Sequence, residues 1–334
     1  MKNITVITTG GTIGSVFSAE SVSIDSTQEM LSSEINLAKD KLGITVKISA
    51  PINKHSENMH PGDWVTIIDA INRAGSDESC DGIVVTHGSD TIAYAVAAAS
   101  ILCKQEKPVC FTGSYYAPEH PDSDASINLL ASLSLVSEDK TLGLFAAFSS
   151  NIENSEASIL HGHHLKPMAF DDLFLSSAFN EIAGTYSLGS GLSRLSLAST
   201  TLPKLFAIPS VDNAQQASKR VGMIMLYPGV DKAFLKAASK DLDILVIQGY
   251  HCGTGPYELI QFIKEASPFI KVLIATLPSQ HITTPYKSTL NLKEAGAYIY
   301  RDIQAHYLYV LSVLALGISM TSSDIIEDLS DYMV

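Results

Sequence analysis

Short apolar strands alternate with helical patterns along most of this chain, and this alternation most constrains its fold. In the first half, strand patterns at 4–8, 44–50, 82–86, 108–112 and 142–148 are separated by helical patterns at 62–75, 91–104 and 125–137. Such alternation is typical of βαβ units, in which helices cover both faces of a mostly parallel sheet. Because the crossovers are right-handed, the loops after the strands lie along one edge, where α/β sheets bind ligands.

The second half repeats the alternation after a break. Between 191 and 218, Ser, Thr, Leu, Pro and Gln follow no period, and we interpret this segment as a linker. Strand patterns then recur at 221–227, 243–248 and 270–276, with helical patterns at 231–239, 256–266, 303–317 and 322–332. We predict two α/β domains: a larger N-terminal domain at 1–190, with a mostly parallel sheet flanked by helices, and a smaller parallel-sheet domain at 219–334.

The net charge limits the partners that this chain can bind, and the cysteines indicate its compartment. A formal net charge of −13 over 334 residues argues against a basic face for nucleic acid or anionic membrane. The four cysteines form no metal-ligand spacing, which favours a reducing compartment. No cleavable leader pattern precedes the first strand, and no apolar run is long enough to span a bilayer. We predict a soluble, cytoplasmic protein that binds neither nucleic acid nor membrane.

Thr12 lies in a glycine turn that follows the first strand. The segment reads ITVITTGGTI from Ile4 to Ile13, and its two glycines let the backbone turn where side chains would clash. A hydroxyl at such a turn can attack an acyl carbon if a base takes its proton. A glycine-rich anion cradle and a simple tight turn are the alternatives, and the segment lacks the GxGxxG spacing of a dinucleotide site.

Three further polar turns follow strands of the predicted sheet. Ser89 and Asp90 come after the strand at 82–86, where they are expected at a helix N-terminus as a catalytic pair or as ordinary caps. Ser114 follows the strand at 108–112. Ser56 and Glu57 follow the strand at 44–50 and offer polar groups for the charged ends of a substrate.

Together these turns resemble the family of bacterial L-asparaginases and glutaminase-asparaginases. The order and separations of the motifs follow that family over the first 170 residues, and the likeness is looser beyond residue 219. The matching stretches are TGGTI at 9–13, SENM at 56–59, HGSDT at 87–91, TGS at 112–114, SD at 123–124 and NLL at 128–130.

The resemblance implies a two-domain α/β fold, assembled as a homodimer or homotetramer, with an active site at the edge of the N-terminal sheet. Thr12 looks like the primary nucleophile, and Ser89 stands where the family has a second catalytic threonine. Asp90 resembles the carboxylate that binds the substrate α-amino group. Ser56 looks like a ligand of the α-carboxylate, and Glu57 stands where Gln or Glu contacts the amino group.

Gly88 and Ser114 complete the predicted substrate-binding set, and neither a cofactor nor a metal is expected. The family places a lysine near the second hydroxyl, whereas the matching position here is His161, with Lys166 five residues out of register. A neutral imidazole can act as a general base near neutral pH, so His161 is our candidate for that role. The family's lid tyrosine is also missing, because residues 14–27 contain no tyrosine.

The function predicted from these residues is hydrolysis of the side-chain amide of L-asparagine, with L-glutamine as an alternative substrate. Two rivals stay open: an amino-acid-binding protein that has lost turnover, and an amidase for a different or bulkier amide. Aminoacyl-tRNA amidotransferase relatives fit less well, because we see no added domain or basic surface for RNA. A zinc site at His161 and His163 would require both side chains on one strand face, and no matching carboxylate or cysteine set is evident.

Overall fold

The structure is a computed structural model in which the chain forms two compact units. It describes residues 1–17, 22–23, 27–104, 106–138, 142–167, 175–177, 181–196, 202–250, 252–276 and 285–333. The units are Met1–Thr201 and Leu202–Val334. Within the described residues, no helix combines the length and apolar character needed to cross a bilayer.

The first unit contains ten strands and four helices among its described residues. The strands are β1 (Asn3–Thr8), β2 (Val16–Phe17), β3 (Val22–Ser23), β4 (Thr45–Ser49), β5 (Gly82–Thr86), β6 (Val109–Thr112), β7 (Leu144–Ser149), β8 (Glu156–His161), β9 (Gly184–Ser187) and β10 (Gly191–Leu192). The helices are α1 (Thr27–Leu42), α2 (Pro61–Gly75), α3 (Ile92–Leu102) and α4 (Ala125–Ser137).

Eight of these strands form one sheet in the order β10-β9-β8-β7-β6-β5-β1-β4. Strands β4, β1, β5, β6 and β7 are parallel, as the alternating pattern predicts, whereas β8 and β9 are antiparallel additions at one side. The register aligns Thr8 with Thr86 and Thr86 with Thr112, so the parallel strands β1, β5 and β6 end level with one another. The turns that follow them therefore leave the sheet at the same edge.

Burial on both faces explains why the central strands carry no alternating pattern. All five residues of β5 and all four of β6 are buried. Helix α3 is apolar around nearly its whole circumference, since ten of its eleven residues are buried. The core on the α1 and α4 face includes Val84 and Cys110 of the central strands. This two-sided cover fixes the strand ends, and with them the turns, in one position.

The second unit is a smaller parallel sheet covered by helices. Its strands are β11 (Val221–Met225), β12 (Ile244–Gln248), β13 (Lys271–Ala275) and β14 (Tyr298–Tyr300), all parallel and hydrogen-bonded in that order. Its helices are α5 (Val211–Ala217), α6 (Lys232–Ala238), α7 (Tyr257–Ala266), α8 (Lys287–Glu294), α9 (Ala305–Gly317) and α10 (Ser322–Asp328). The predicted two-part α/β fold is confirmed.

The boundary between the two units lies within the segment predicted as a linker. It falls at Thr201 and Leu202, inside the 191–218 segment, and that segment also holds β10 and α5. Helix α5 packs on α9 of the second unit. The sequence pattern hides this helix because only Ala214 and Ala217 of its seven residues are buried, which leaves no apolar period to detect.

Replacing Phe111 tests how far the sheet core stabilises the first unit. Phe111 lies in β6 and is fully buried, so Phe111→Ala leaves a cavity and is expected to reduce the free energy of unfolding by about 3–5 kcal/mol. Urea unfolding followed by circular dichroism measures the change. The control Ile152→Ala removes a side chain that is 77% exposed and should change stability by less than about 0.5 kcal/mol. Equal losses in both variants would contradict this core assignment.

Candidate active site

Two turns at the carboxyl edge of the sheet meet through their glycines. Gly10 and Gly11 have φ angles of 98° and 83°, which side-chain-bearing residues rarely adopt. A Cβ placed on Gly11 would lie 2.5 Å from the Gly88 nitrogen and 2.6 Å from its Cα. The two backbones are therefore in direct contact. Thr12 and Ser89 are the next residues along each turn, so the contact holds their backbones near each other.

A third turn joins the same cluster from β4. A Cβ on Gly88 would lie 2.4 Å from Ser56 Oγ, so this turn also requires a glycine. Ser56 is buried, and its carbonyl oxygen accepts a 2.9 Å hydrogen bond from the Thr91 hydroxyl. The predicted substrate-binding residues Ser56 and Gly88 are thus brought together. Sequence reasoning missed Thr91 as the residue that joins these two turns, because a hydroxyl at a helix start is ordinarily assigned as a cap.

The local structure around both hydroxyls differs from ordinary capping. Thr12 begins a short 3-10 turn, Thr12–Gly14, while Ile13 beside it is buried in the core. Ser89 is not the N-cap of α3, because that position is Thr91. Thr12 and Ser89 are both half-buried. Among the described residues, neither the Thr12 nor the Ser89 hydroxyl has a hydrogen-bond partner.

His87 stabilises the turn before Ser89. It is fully buried, and its Nδ1–H donates a 2.9 Å hydrogen bond to the carbonyl oxygen of Gly88. Burial lowers the pKa of His87 to about 4, so the ring is neutral at pH 7. A neutral ring at this position fixes the Gly88 peptide without placing a charge beneath the site.

The turn after β6 lies beside the turn that carries Ser89. A Cβ on Gly113 would lie 2.4 Å from the His87 carbonyl oxygen. Ser114 is buried, and its hydroxyl has no hydrogen-bond partner among the described residues. Asp124 occupies the N-cap position of α4 but makes no side-chain capping bond; its carboxylate accepts hydrogen bonds from the backbone N–H groups of Tyr115 and Tyr116. Its carboxylate therefore holds this turn in shape.

Asp90 and Glu57 lie at the solvent side of the cluster. Both side chains are exposed, whereas Ser56, which precedes Glu57 in the same turn, is buried. Exposed carboxylates of this kind can attract the ammonium group of a bound molecule. The segment where the family's lid tyrosine would fall, 14–27, lies partly outside the described residues, so the prediction about the lid is not addressed by the structure.

His161 lies in a different part of the sheet from the clustered turns. His161 is the last residue of β8 and pairs with Phe145 of β7. Phe145 pairs with Cys110 of β6, and Cys110 pairs with Val84 of β5, two residues before β5 ends. Three strand spacings of about 4.8 Å separate β8 from β5. Burial lowers the pKa of His161, and Glu181 partly opposes that shift. No contact between His161 and Ser89 is present among the described residues, and the role of His161 stays a prediction.

The premise of a paired-histidine metal site is wrong. His161 ends a strand, but His163 lies in the 3-10 turn Gly162–His164, so the two do not share a strand face. Their ring centroids are 5.9 Å apart. Across the described parts of the chain, no group of three or more His, Cys, Asp or Glu side chains is arranged to hold a metal ion.

Comparison with known proteins identifies the family of this chain. The family described as Asparaginase, N-terminal matches residues 3–172, which is more than half of the chain. This protein belongs to the asparaginase family.

Individual relatives extend the match over nearly the whole chain. A glutamyl-tRNA(Gln) amidotransferase subunit from Methanococcus vannielii is 24% identical over 95% of this chain and 75% of its own length. The corresponding protein from Nanoarchaeum equitans is 27% identical over 93% of this chain and 78% of its own. The thermostable L-asparaginase from Thermococcus kodakarensis shares the fold, with a TM-score of 0.78, 24% identity and coverage of 98% and 96% of the two chains.

Substituting Gly11 tests the contact between the first two turns. In Gly11→Ala, the new methyl group would overlap the Gly88 backbone, and the positive φ angle would be strained. We expect activity on any amide substrate to fall by at least about a hundredfold, because a displacement of about 1 Å is enough for such a loss. Gly189→Ala is the matched control, since nothing lies within 4 Å of its Cβ position. Full activity in Gly11→Ala would refute the contact.

The pH dependence of stability tests the burial of His87. The unfolded ring has a pKa near 6.5 and the folded ring one of about 4, so between these values the unfolded state binds the extra proton. Stability therefore falls as the pH drops from 6.5 towards 4, by roughly 3 kcal/mol from this residue. Urea unfolding at a series of pH values should give a shallower slope for His87→Gln than for the unchanged protein. Identical slopes would show that His87 titrates normally.

Proposed function

We propose that this protein hydrolyses the side-chain amide of L-asparagine through an acyl ester on Thr12. The observation that supports this most is the contact between the turns carrying Thr12 and Ser89, with Ser56 against Gly88. This contact brings the backbones of the two hydroxyl residues near each other, beside the buried Ser56. Family membership supports amide chemistry at this edge, and L-glutamine is the second substrate to test.

The reaction balances with groups from this chain and water. The Thr12 hydroxyl oxygen attacks the amide carbon, the carbon–nitrogen bond breaks, and the hydroxyl proton leaves with the nitrogen as ammonia. Water then attacks the ester, which releases aspartate and restores the hydroxyl. Ser56 and Glu57 would hold the α-carboxylate and the α-amino group, with Asp90 as a second ligand of the latter. Holding both ends fixes the amide against the two hydroxyls.

Ammonia release by the Thr12→Ala variant tests the nucleophile. Removing the hydroxyl should reduce kcat for L-asparagine by at least about a thousandfold, because no ester can form. A coupled ammonia assay measures the rate, and circular dichroism confirms that the variant is folded. Thr66→Ala serves as the control, since that hydroxyl bonds within α2 to the Gly62 carbonyl. Undiminished ammonia release by folded Thr12→Ala would rule out the assignment.

The resemblance predicts His161 as the base, although the sheet places it three strands from β5, and the pH profile of kcat tests this role. Because burial lowers the pKa of His161 below 6.5, the ring is already neutral at pH 7, and kcat should decline only as the pH falls below 6.5. His161→Lys introduces a group with a higher pKa, so the decline should begin at a higher pH. His161→Gln should abolish the decline and lower kcat. A profile identical in all three proteins would exclude His161 from proton transfer.

A second candidate function is supported by the relatives rather than by the site. The two archaeal relatives are amidotransferase subunits, so this chain would supply ammonia from an amide to a partner that uses it. The isolated chain distinguishes the two functions: steady ammonia release without a partner supports the hydrolase. If calorimetry shows that the protein binds L-asparagine and L-glutamine but no ammonia is released from either, the result favours an amidotransferase component or an amino-acid-binding protein. A homo-oligomer stays a prediction that light scattering can test.

A further inference from the structure

The rings of Tyr115, Tyr116 and His120 pack against one another beside the clustered turns. The Tyr116 and His120 rings are parallel, with centroids 4.2 Å apart, and the Tyr115 ring meets Tyr116 edge-on at 4.9 Å. We name these three side chains the aromatic rim. Tyr115 and Tyr116 are 43% and 37% exposed, although large aromatic side chains usually bury more of their surface.

The backbone beneath the aromatic rim is held by a buried carboxylate. Asp124 is 4% exposed and accepts hydrogen bonds from Tyr115 N at 2.8 Å and Tyr116 N at 3.2 Å. Asn128 Nδ2 donates to the same carboxylate at 2.8 Å and to the Gly113 carbonyl oxygen at 2.9 Å. Burying a charged group costs free energy unless it is bonded in this way. The rings are thus preorganised, so a ligand that contacts them loses little by ordering them.

The aromatic rim lies next to the proposed substrate site. The β6 turn, which leads through Ser114 to Tyr115, lies against the turn that carries Ser89, because a Cβ on Gly113 would lie 2.4 Å from the His87 carbonyl oxygen. The proposed function holds the α-carboxylate and α-amino group near Ser56. With both charged ends held, the amide nitrogen is the position at which a larger substrate can carry a substituent, and the Ser114 hydroxyl in the β6 turn is buried without a described partner. A substituent on that nitrogen would extend to Tyr115.

We propose that the aromatic rim binds a planar aromatic substituent on the amide nitrogen, so that N-arylalkyl asparagines are substrates of this site. The proposal rests on the proposed function. An exposed tyrosine face attracts a second ring by offset or edge-on stacking in addition to apolar burial. The chemistry is unchanged: Thr12 attacks the amide carbon, and the nitrogen takes the proton and leaves as an arylalkylamine instead of ammonia. Water then hydrolyses the ester.

The test compares two ligands that differ in planarity and not in size. Calorimetry on Thr12→Ala, which cannot consume the ligand, measures Kd for Nγ-benzyl-L-asparagine and Nγ-(cyclohexylmethyl)-L-asparagine. We expect the benzyl ligand to bind at least about tenfold more tightly. Adding Tyr115→Ala should remove the difference, whereas Tyr115→Phe keeps the ring and should preserve it. Adding Ile152→Ala, on the turn between β7 and β8, is the control for loss of an exposed apolar side chain and should also preserve it.

Each result separates this proposal from the proposed function. Equal Kd values for the two ligands, no binding of either, or a preference that survives Tyr115→Ala would overturn the role of the aromatic rim. Ammonia release from L-asparagine by the unchanged protein is measured in parallel. Its absence would overturn the proposed function, while the ratio of the two Kd values would still decide whether the aromatic rim selects planar substituents.

Discussion

The contact between the backbones of Gly11 and Gly88 is the constraint on which the rest of the site depends. A Cβ on Gly11 would lie only 2.5 Å from the Gly88 nitrogen, so no side chain fits between the two turns. A parallel sheet brings its carboxyl ends to one edge, but strands about 4.8 Å apart leave their turns free to diverge. Glycine at both positions allows the turns to meet, and the residues that follow them become neighbours.

The side chains next to this contact are uncharged, whereas exposed carboxylates lie at its solvent side. His87 beneath the turns is held neutral by burial, and Ser56 and Ser114 offer hydroxyls at low exposure. The exposed carboxylates of Asp90 and Glu57 lie at the solvent side. Such an arrangement suits a zwitterion whose charged end is bound near solvent and whose amide lies against uncharged hydroxyls. Low local polarity strengthens each hydrogen bond that a substrate makes there.

Sequence reasoning predicted the central parallel strands and their turns because β5, β6 and β7 are unbroken apolar runs that end in Thr or Ser. It missed the antiparallel strands β8 to β10, which are short and mix polar with apolar residues. The positions of His161 and His163 therefore could not be derived, since they depend on the register of β8 and on the 3-10 turn after it. The role of Asp124 was also hidden, because a carboxylate before a helix has the same sequence signature whether it caps the helix or holds a neighbouring turn.

The central claim is that the Thr12 hydroxyl forms the ester, and trapping that ester tests it most directly. The protein is mixed with L-asparagine and quenched in acid during steady turnover, and its peptides are then mapped by mass spectrometry. The account predicts an aspartyl adduct on the peptide that contains Thr12 and none on the peptide that contains Ser89. An adduct confined to Ser89 would contradict it.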